Sequence, residues 1–158
     1  MQQTQTIVEN KQRMKRLKVV SLQITREKVF PYVTNRIRTP HDAVKLAQEF
    51  IGNEDREHFV VFCLSTRNTV DAIHTVSVGT LNSSLVHPRE VFKASLLSNS
   101  CSIICAHNHP SSDCSPSKED LEVTKRLAEA GKILGIELLD HVIVSNTEHY
   151  SMREHGHI

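Results

Sequence analysis

The sequence predicts an α/β fold, a mixed single-sheet layer fold with covering helices. Three observations carry this expectation. Short continuous apolar runs at 59–64 and 102–106 have the length and side-chain content of strands buried on both faces. Longer stretches after Thr39, Pro88 and Ser117 repeat apolar residues every three to four positions, the period of one helical face. The two kinds of segment are interleaved along the chain, the order expected when helices cover one sheet.

At 158 residues the chain has the size of one ordinary domain. Its hydrophobic fraction of 39% suffices for one core, and with no Trp that core is filled by aliphatic side chains. A net charge of +1 gives the chain as a whole no polyanion-binding signature. No run approaches the ~20 apolar residues of a membrane span. The polar stretch from Met1 to Arg16 lacks the apolar centre of a secretory signal. Cys63, Cys101, Cys105 and Cys114 form no Cys-x-x-Cys pair, and three sit in or beside apolar runs, where a free thiol acts as a small hydrophobe. This predicts a reducing, cytoplasmic setting over a disulfide framework. His149, His155 and His157, in the C-terminal tail, are expected to face solvent.

In chain order, residues 1–38 read as a polar, partly basic arm, with a candidate strand in the β-branched stretch 19–25. Lys11, Arg13, Lys15, Arg16 and Lys18 make the arm locally positive. A solvated arm and a weak nucleic-acid contact are both consistent with that. The domain proper is expected over 39–158. Thr39 caps a first helix, with Pro40 at its first position, Asp42 at its positive end, and Ala43, Leu46, Ala47 and Phe50 on one face. Gly52-Asn53 ends it. The run 59–64 is the first strand, Arg67-Asn68 the turn, and 70–78 its hairpin partner. Residues 79–84 read as a polar loop. Pro88 opens a second helix with Val91, Phe92, Ala94, Leu96 and Leu97 as its apolar face. After the strand at 102–106, Ser117 begins a long helix with Leu121, Thr124, Leu127, Ala128 and Ile133 in register, weakened at its end by Gly131 and Gly135. A strand at 136–144 and a short one at Tyr150-Ser151 complete the sheet.

The chemistry concentrates at His107-Asn108-His109-Pro110, followed by Ser117 and Asp120. Imidazoles one residue apart point the same way on an extended backbone. A carboxylate some ten positions later can return from a neighbouring element. Two His and one carboxylate, with a fourth position for water, is the ligand count of a catalytic zinc site. The spacing therefore predicts a metal-dependent hydrolase. Ser117-x-x-Asp120 also has a sufficient structural reason to exist, a capping box in which the cap contributes ~1 kcal/mol. The two roles are compatible.

The full pattern, His107-x-His109-Pro110-x6-Ser117-x-x-Asp120, resembles the JAMM motif of the MPN+ (JAB) metalloproteases. The blocks Gly79-Thr80-Leu81-Asn82, His87-Pro88-Arg89-Glu90-Val91-Phe92, Ala106 to Ser111, Pro116-Ser117-x-x-Asp120, Thr124-x-x-Leu127 and Leu139-Asp140-His141-x-Ile143-Val144 narrow it to the bacterial RadC family, over about residues 40–156. The resemblance implies a JAB/MPN, cytidine-deaminase-like fold. Full-length members carry an N-terminal helix-hairpin-helix domain, and from its length this chain is expected to be a short form without one.

The resemblance also implies roles. His107, His109 and Asp120 would bind Zn2+, which lowers the pKa of water toward ~7. Ser117 would stabilise an oxyanion, and an upstream glutamate would carry the proton to the leaving amine. Glu57 and Glu90 are the two candidates for that glutamate. Glu57 stands just ahead of the first apolar strand, the position such a residue holds in JAMM proteins. Glu90 has a local reason to exist at a helix start, yet it belongs to a block shared with RadC-like chains. Asp140 and His141 are candidates for hydrogen bonding to a ligand from behind, or a packed pair. Ser112 stands where RadC-like chains usually have Gly, and Cys114 where they have a Pro-like residue. Cys114 could serve as a fourth ligand and close the site. The implied substrate is a peptide or protein cleaved at an amide or isopeptide bond. A DNA-repair or nucleic-acid accessory role and a non-catalytic MPN interaction module are the competing functions. The intact ligand set argues against the last.

Overall fold

Three helices and five strands follow one another in a computed structural model that describes residues 15–79 and 86–158. In chain order they are α1 (Pro40–Ile51), β1 (His58–Leu64), β2 (Val70–Val78), α2 (Pro88–Leu97), β3 (Ser102–Asn108), α3 (Lys118–Leu134), β4 (Glu137–Val144) and β5 (His149–Ser151). The strands form one sheet in the order β2-β1-β3-β4-β5. β1 pairs antiparallel with both β2 and β3, β3 runs parallel to β4, and β4 is antiparallel to β5. A parallel pair needs a crossover, and α3 supplies it.

The sheet is covered on both faces. Alternation along β3 sends Ile104 and Ala106 to one face, where they pack with Val60, Phe62 and the α1 residues Ala43, Leu46 and Ala47. Ile103 and Cys105 turn to the other, with Phe59, Val61, Phe92 from α2 and Leu127 from α3. This double coverage is why β1 and β3 read as unbroken apolar runs.

The expected caps are present. Thr39 and Ser117 each form a capping box, with Asp42 and Asp120 as the reciprocating residues. Gly135 takes the left-handed conformation at the end of α3, with φ of 70°. Gly131 is buried, and the position needs glycine because an added Cβ would stand 2.4 Å from the Ile136 carbonyl oxygen.

Several expectations are corrected. The stretch 19–25 forms no strand, and Val19, Val20, Leu22 and Ile24 are exposed. Its β-branched content favours extension, but no sheet edge is paired with it. Leu96 and Leu97 are exposed, and Ser95 takes the inward position on α2 with its hydroxyl donating to the Phe92 carbonyl. Ile133 is 87% exposed: the inward face of α3 runs through Val123, Leu127 and Gly131, and Ile133, two residues past Gly131, points away from it. On α1, Val44 and Ile51 are buried while Phe50 is only partly so. Of the polar loop at 79–84, all but Gly79 lies outside the described residues, as do Lys11 and Arg13. No helix among the described residues is long and apolar enough to cross a membrane.

Candidate metal centre

β3 carries His107 into a fully buried position, and the chain leaves the strand one residue before His109. Across the site, the capping box of α3 holds Asp120 in place: the Ser117 N–H donates to Asp120 Oδ2 at 2.8 Å, and the Asp120 N–H donates to Ser117 Oγ at 3.1 Å. The C-terminal end of a parallel strand therefore meets the N-terminal end of the following helix, a common location for sites in α/β sheets.

His107 Nε2 lies 3.1 Å from His109 Nε2 and 3.3 Å from Asp120 Oδ1, and His109 Nε2 lies 3.7 Å from Asp120 Oδ2. Among the described residues these three form the one group whose ligand atoms converge, all within 4.8 Å of one another.

The nitrogens that face away from this cluster are also engaged. His109 Nδ1 is 2.6 Å from the Asp113 carbonyl oxygen, which can only accept, so Nδ1 carries a proton. His107 Nδ1 is 2.8 Å from His141 Nε2, and His141 Nδ1 is 2.7 Å from Thr124 Oγ1. Thr124 Oγ1 is also 2.7 Å from the Asp120 carbonyl oxygen. A hydroxyl has one proton, and that carbonyl must receive it. Thr124 then accepts from His141 Nδ1–H, His141 Nε2 accepts from His107 Nδ1–H, and His107 Nε2 keeps its lone pair. Both Nε2 atoms therefore present lone pairs toward the Asp120 carboxylate. Such a donor set suits a divalent cation of zinc type.

The neutral state of His107 and His141 agrees with this assignment; at His109 a proton shared between Nε2 and Asp120 competes with it, and a bound cation would displace that proton. Burial pushes the His107 and His141 imidazoles down, His141 strongly, so both stay neutral. The Asp120 hydrogen bond raises His109, against its partial burial. Burial alone would raise the Asp120 carboxyl, but its bonds to His107 and His109 prevail and hold it below the usual carboxylate range.

The remaining site candidates separate. Glu57 lines the same pocket as His109, Ser117 and Asp120, and its charge acts on both imidazoles. Glu90 instead pairs with Lys93 at 2.7 Å and Arg89 at 3.5 Å on the surface of α2, and those partners lower its pKa. Asp140 and His141 point to opposite faces of β4 and part company. His141 supports His107. Asp140 accepts from Ser151 Oγ (2.6 Å) and from the N–H groups of His141 and Arg153 (2.7 and 3.1 Å), which ties β5 and the tail to β4. Cys114 is not among the converging ligands. It is buried against Ile143 and Met152 in the loop between His109 and Ser117, which gives the alternative of a fourth protein ligand no support. Ser112, in that loop, has φ of 68°, the left-handed region that favours glycine. Thr124 and Asn108 are the partners that sequence reasoning left unassigned. The signal for Thr124 is its place four residues after Asp120, on the same face of α3.

Residues 37–157 match the family model described as the RadC-like JAB domain. The chain belongs to that family. Its JAB domain is similar to UPF0758 proteins of several bacteria. It is 57% identical to one from Rubrobacter xylanophilus over 120 residues, 76% of this chain and 52% of that protein. It is 52% identical to one from Desulfitobacterium hafniense over 126 residues, 80% of this chain and 56% of that protein. A Geobacillus relative is 50% identical over 122 residues, 77% of this chain and 54% of that protein. The chain thus spans about half the length of the curated relatives it matches.

Proposed function

We propose that this JAB domain is a zinc-dependent hydrolase that cleaves peptide or isopeptide bonds. The observation that carries the reading is the convergence of two imidazole nitrogens and one carboxylate, of which His109 and Asp120 line one pocket together with a further carboxylate, Glu57. His107, His109 and Asp120 would hold the ion. When bound, zinc acts as a Lewis acid that makes water nucleophilic near neutral pH and polarises a carbonyl oxygen.

The chain's own groups supply the rest. Glu57 takes the proton of the attacking water and delivers it to the leaving amine. The Ser117 hydroxyl, at the pocket wall, donates to the oxygen that gains charge in the transition state. His141 and Thr124 hold the His107 ring in the tautomer that leaves Nε2 free.

A nucleic-acid role has one feature in its favour, the exposed Lys15, Arg16 and Lys18 of the arm. The pocket opposes a phosphate substrate: Glu57, Asp113, Glu119 and Asp120 line it, with no Lys or Arg among the described residues. Salt-sensitive DNA binding lost on deleting residues 1–18 would support a contact by the arm and leave the pocket chemistry untouched.

The deciding experiment loads the full chain with zinc and screens peptide and isopeptide substrates with and without chelator. Wild type is expected to bind one zinc and cleave; His109→Ala is expected to lose the metal and keep its fold. Glu57→Gln should keep zinc and abolish hydrolysis, and Glu90→Gln should retain substantial activity. Equal trace metal in wild type and His109→Ala rejects the zinc reading. Activity lost in Glu90→Gln and kept in Glu57→Gln rejects the role of Glu57.

A further inference from the structure

Asn108 lies between the two histidines, yet its side chain turns to the opposite face of the sheet from His107 and is 1% exposed. Its polar contacts all go to one segment, the turn that leads from α1 into β1. Asn108 Oδ1 accepts from the His58 N–H at 2.7 Å. Its Nδ2 donates to the Arg56 carbonyl at 2.9 Å and the Glu54 carbonyl at 3.3 Å. One buried amide thus binds the backbone on both sides of Glu57.

The β1–β3 ladder ends at the Phe59–His107 pair, so this turn lies beyond its backbone pairing with β3. From the other side β2 holds it, through the His58–Val78 pairing and the Gly79 N–H donating to the Glu57 carbonyl at 2.8 Å. Asn108 supplies the hold from β3, the strand that carries His107 and leads into His109. The position demands an amide, because it requires an acceptor and two donors in one planar group. A carboxylate would set an oxygen against two carbonyls.

We propose that Asn108 is a positioning residue whose carboxamide clamps segment 54–58 onto β3 and so sets where the Glu57 carboxylate stands relative to His107 and His109. This inference rests on the reading of Glu57 given above. Misplacing a reacting group by about 1 Å can cost ~10²-fold in rate. The clamp therefore acts on turnover more than on substrate binding.

The test is a double-mutant cycle of Asn108→Ala and Glu57→Gln in the full chain, with Asn108→Ser as the second variant should the alanine change fail to fold. Three quantities are read: amide exchange at His58, zinc affinity by chelator competition, and kcat and KM on a cleaved amide substrate. Asn108→Ala is expected to bind one zinc, to speed His58 exchange by roughly 10-fold or more once its acceptor is gone, and to lower kcat by about 10-fold or more with KM little changed. In the Glu57→Gln background it should lower the residual kcat no further, with zinc bound in both, since two residues acting as one unit are not additive. Unchanged His58 exchange, unchanged kcat, or a further fall in the residual kcat of the Glu57→Gln background overturns the clamp. If zinc-loaded wild type cleaves no amide, the proposed function fails by itself, and His58 amide exchange still decides the clamp: exchange in Asn108→Ala at the wild-type rate overturns it.

Discussion

His141 accepts the Nδ1 proton of His107 across 2.8 Å in a part of the core that water does not reach. The direction of that bond is set from outside the pair. Thr124 gives its one proton to the Asp120 carbonyl and leaves an oxygen lone pair for His141. A backbone carbonyl of one ligand residue thereby orients the ring of another, through a hydroxyl and a second imidazole.

Thr124→Val should break this chain with little change in volume. It leaves a buried imidazole N–H without a partner, at a cost of about 1–3 kcal/mol, while the Asp120 carbonyl keeps the helical N–H of residue 124. Zinc affinity should fall by roughly 10- to 100-fold, the usual effect of losing a group that orients a ligand. Thr124→Ser keeps the hydroxyl and should restore most of the affinity. Chelator competition measures both. Equal affinity in wild type and the valine variant would mean that the hydroxyl does not set the tautomer.

Ser117 has two separable duties. As the cap of α3, its loss in Ser117→Ala should cost ~1 kcal/mol in denaturant unfolding. As a donor to the developing oxyanion, its loss should lower kcat by ~10²-fold or more with zinc retained. A variant that is less stable but turns over substrate at the wild-type rate would leave only the cap.

Ser112→Gly should stabilise the protein. A left-handed residue other than glycine costs roughly 1–2 kcal/mol, and the freedom glycine gains in the unfolded chain returns part of that. The net gain is about 0.5–1 kcal/mol, a rise in Tm of roughly 1–4 °C for a chain this size. A lower Tm would indicate that the Ser112 hydroxyl offsets the backbone cost.

Acid should act on α1 through Asp42. The N–H groups of Arg38 and Thr39 both donate to its carboxylate at 2.8 Å and lower its pKa below the ordinary 3.8. A carboxyl lowered in the folded state contributes stability that is present above its unfolded pKa and lost as pH falls through the folded one. Asp42→Asn should therefore reduce stability at neutral pH and flatten its decline below about pH 4. Parallel acid limbs for variant and wild type would assign the loss to other carboxylates.

Local rules decided much of this protein from its sequence. Thr39 and Ser117 cap helices because a short polar side chain reaches the third N–H beyond it, which needs no tertiary partner. The runs in β1 and β3 declare strands covered on both faces, and the His-x-His spacing on an extended backbone declares a shared direction for two imidazoles. Ligand spacing of this kind is readable because both histidines and Asp120 hang on adjoining elements. Relationships between distant segments were decided only by the tertiary structure. Glu57 shares the pocket and Glu90 does not, because the antiparallel β1–β3 pairing sets residues 54–58 against Asn108, while α2 turns Glu90 toward Lys93. Asp140 and His141 are sequence neighbours with opposite duties, since adjacent residues on β4 face opposite sides of the sheet. Cys114 carries a thiol that could ligate a metal, and the packing of Ile143 and Met152 turns it inward instead. The stretch 19–25 has the side chains of a strand, but a strand exists only where another backbone supplies its hydrogen bonds.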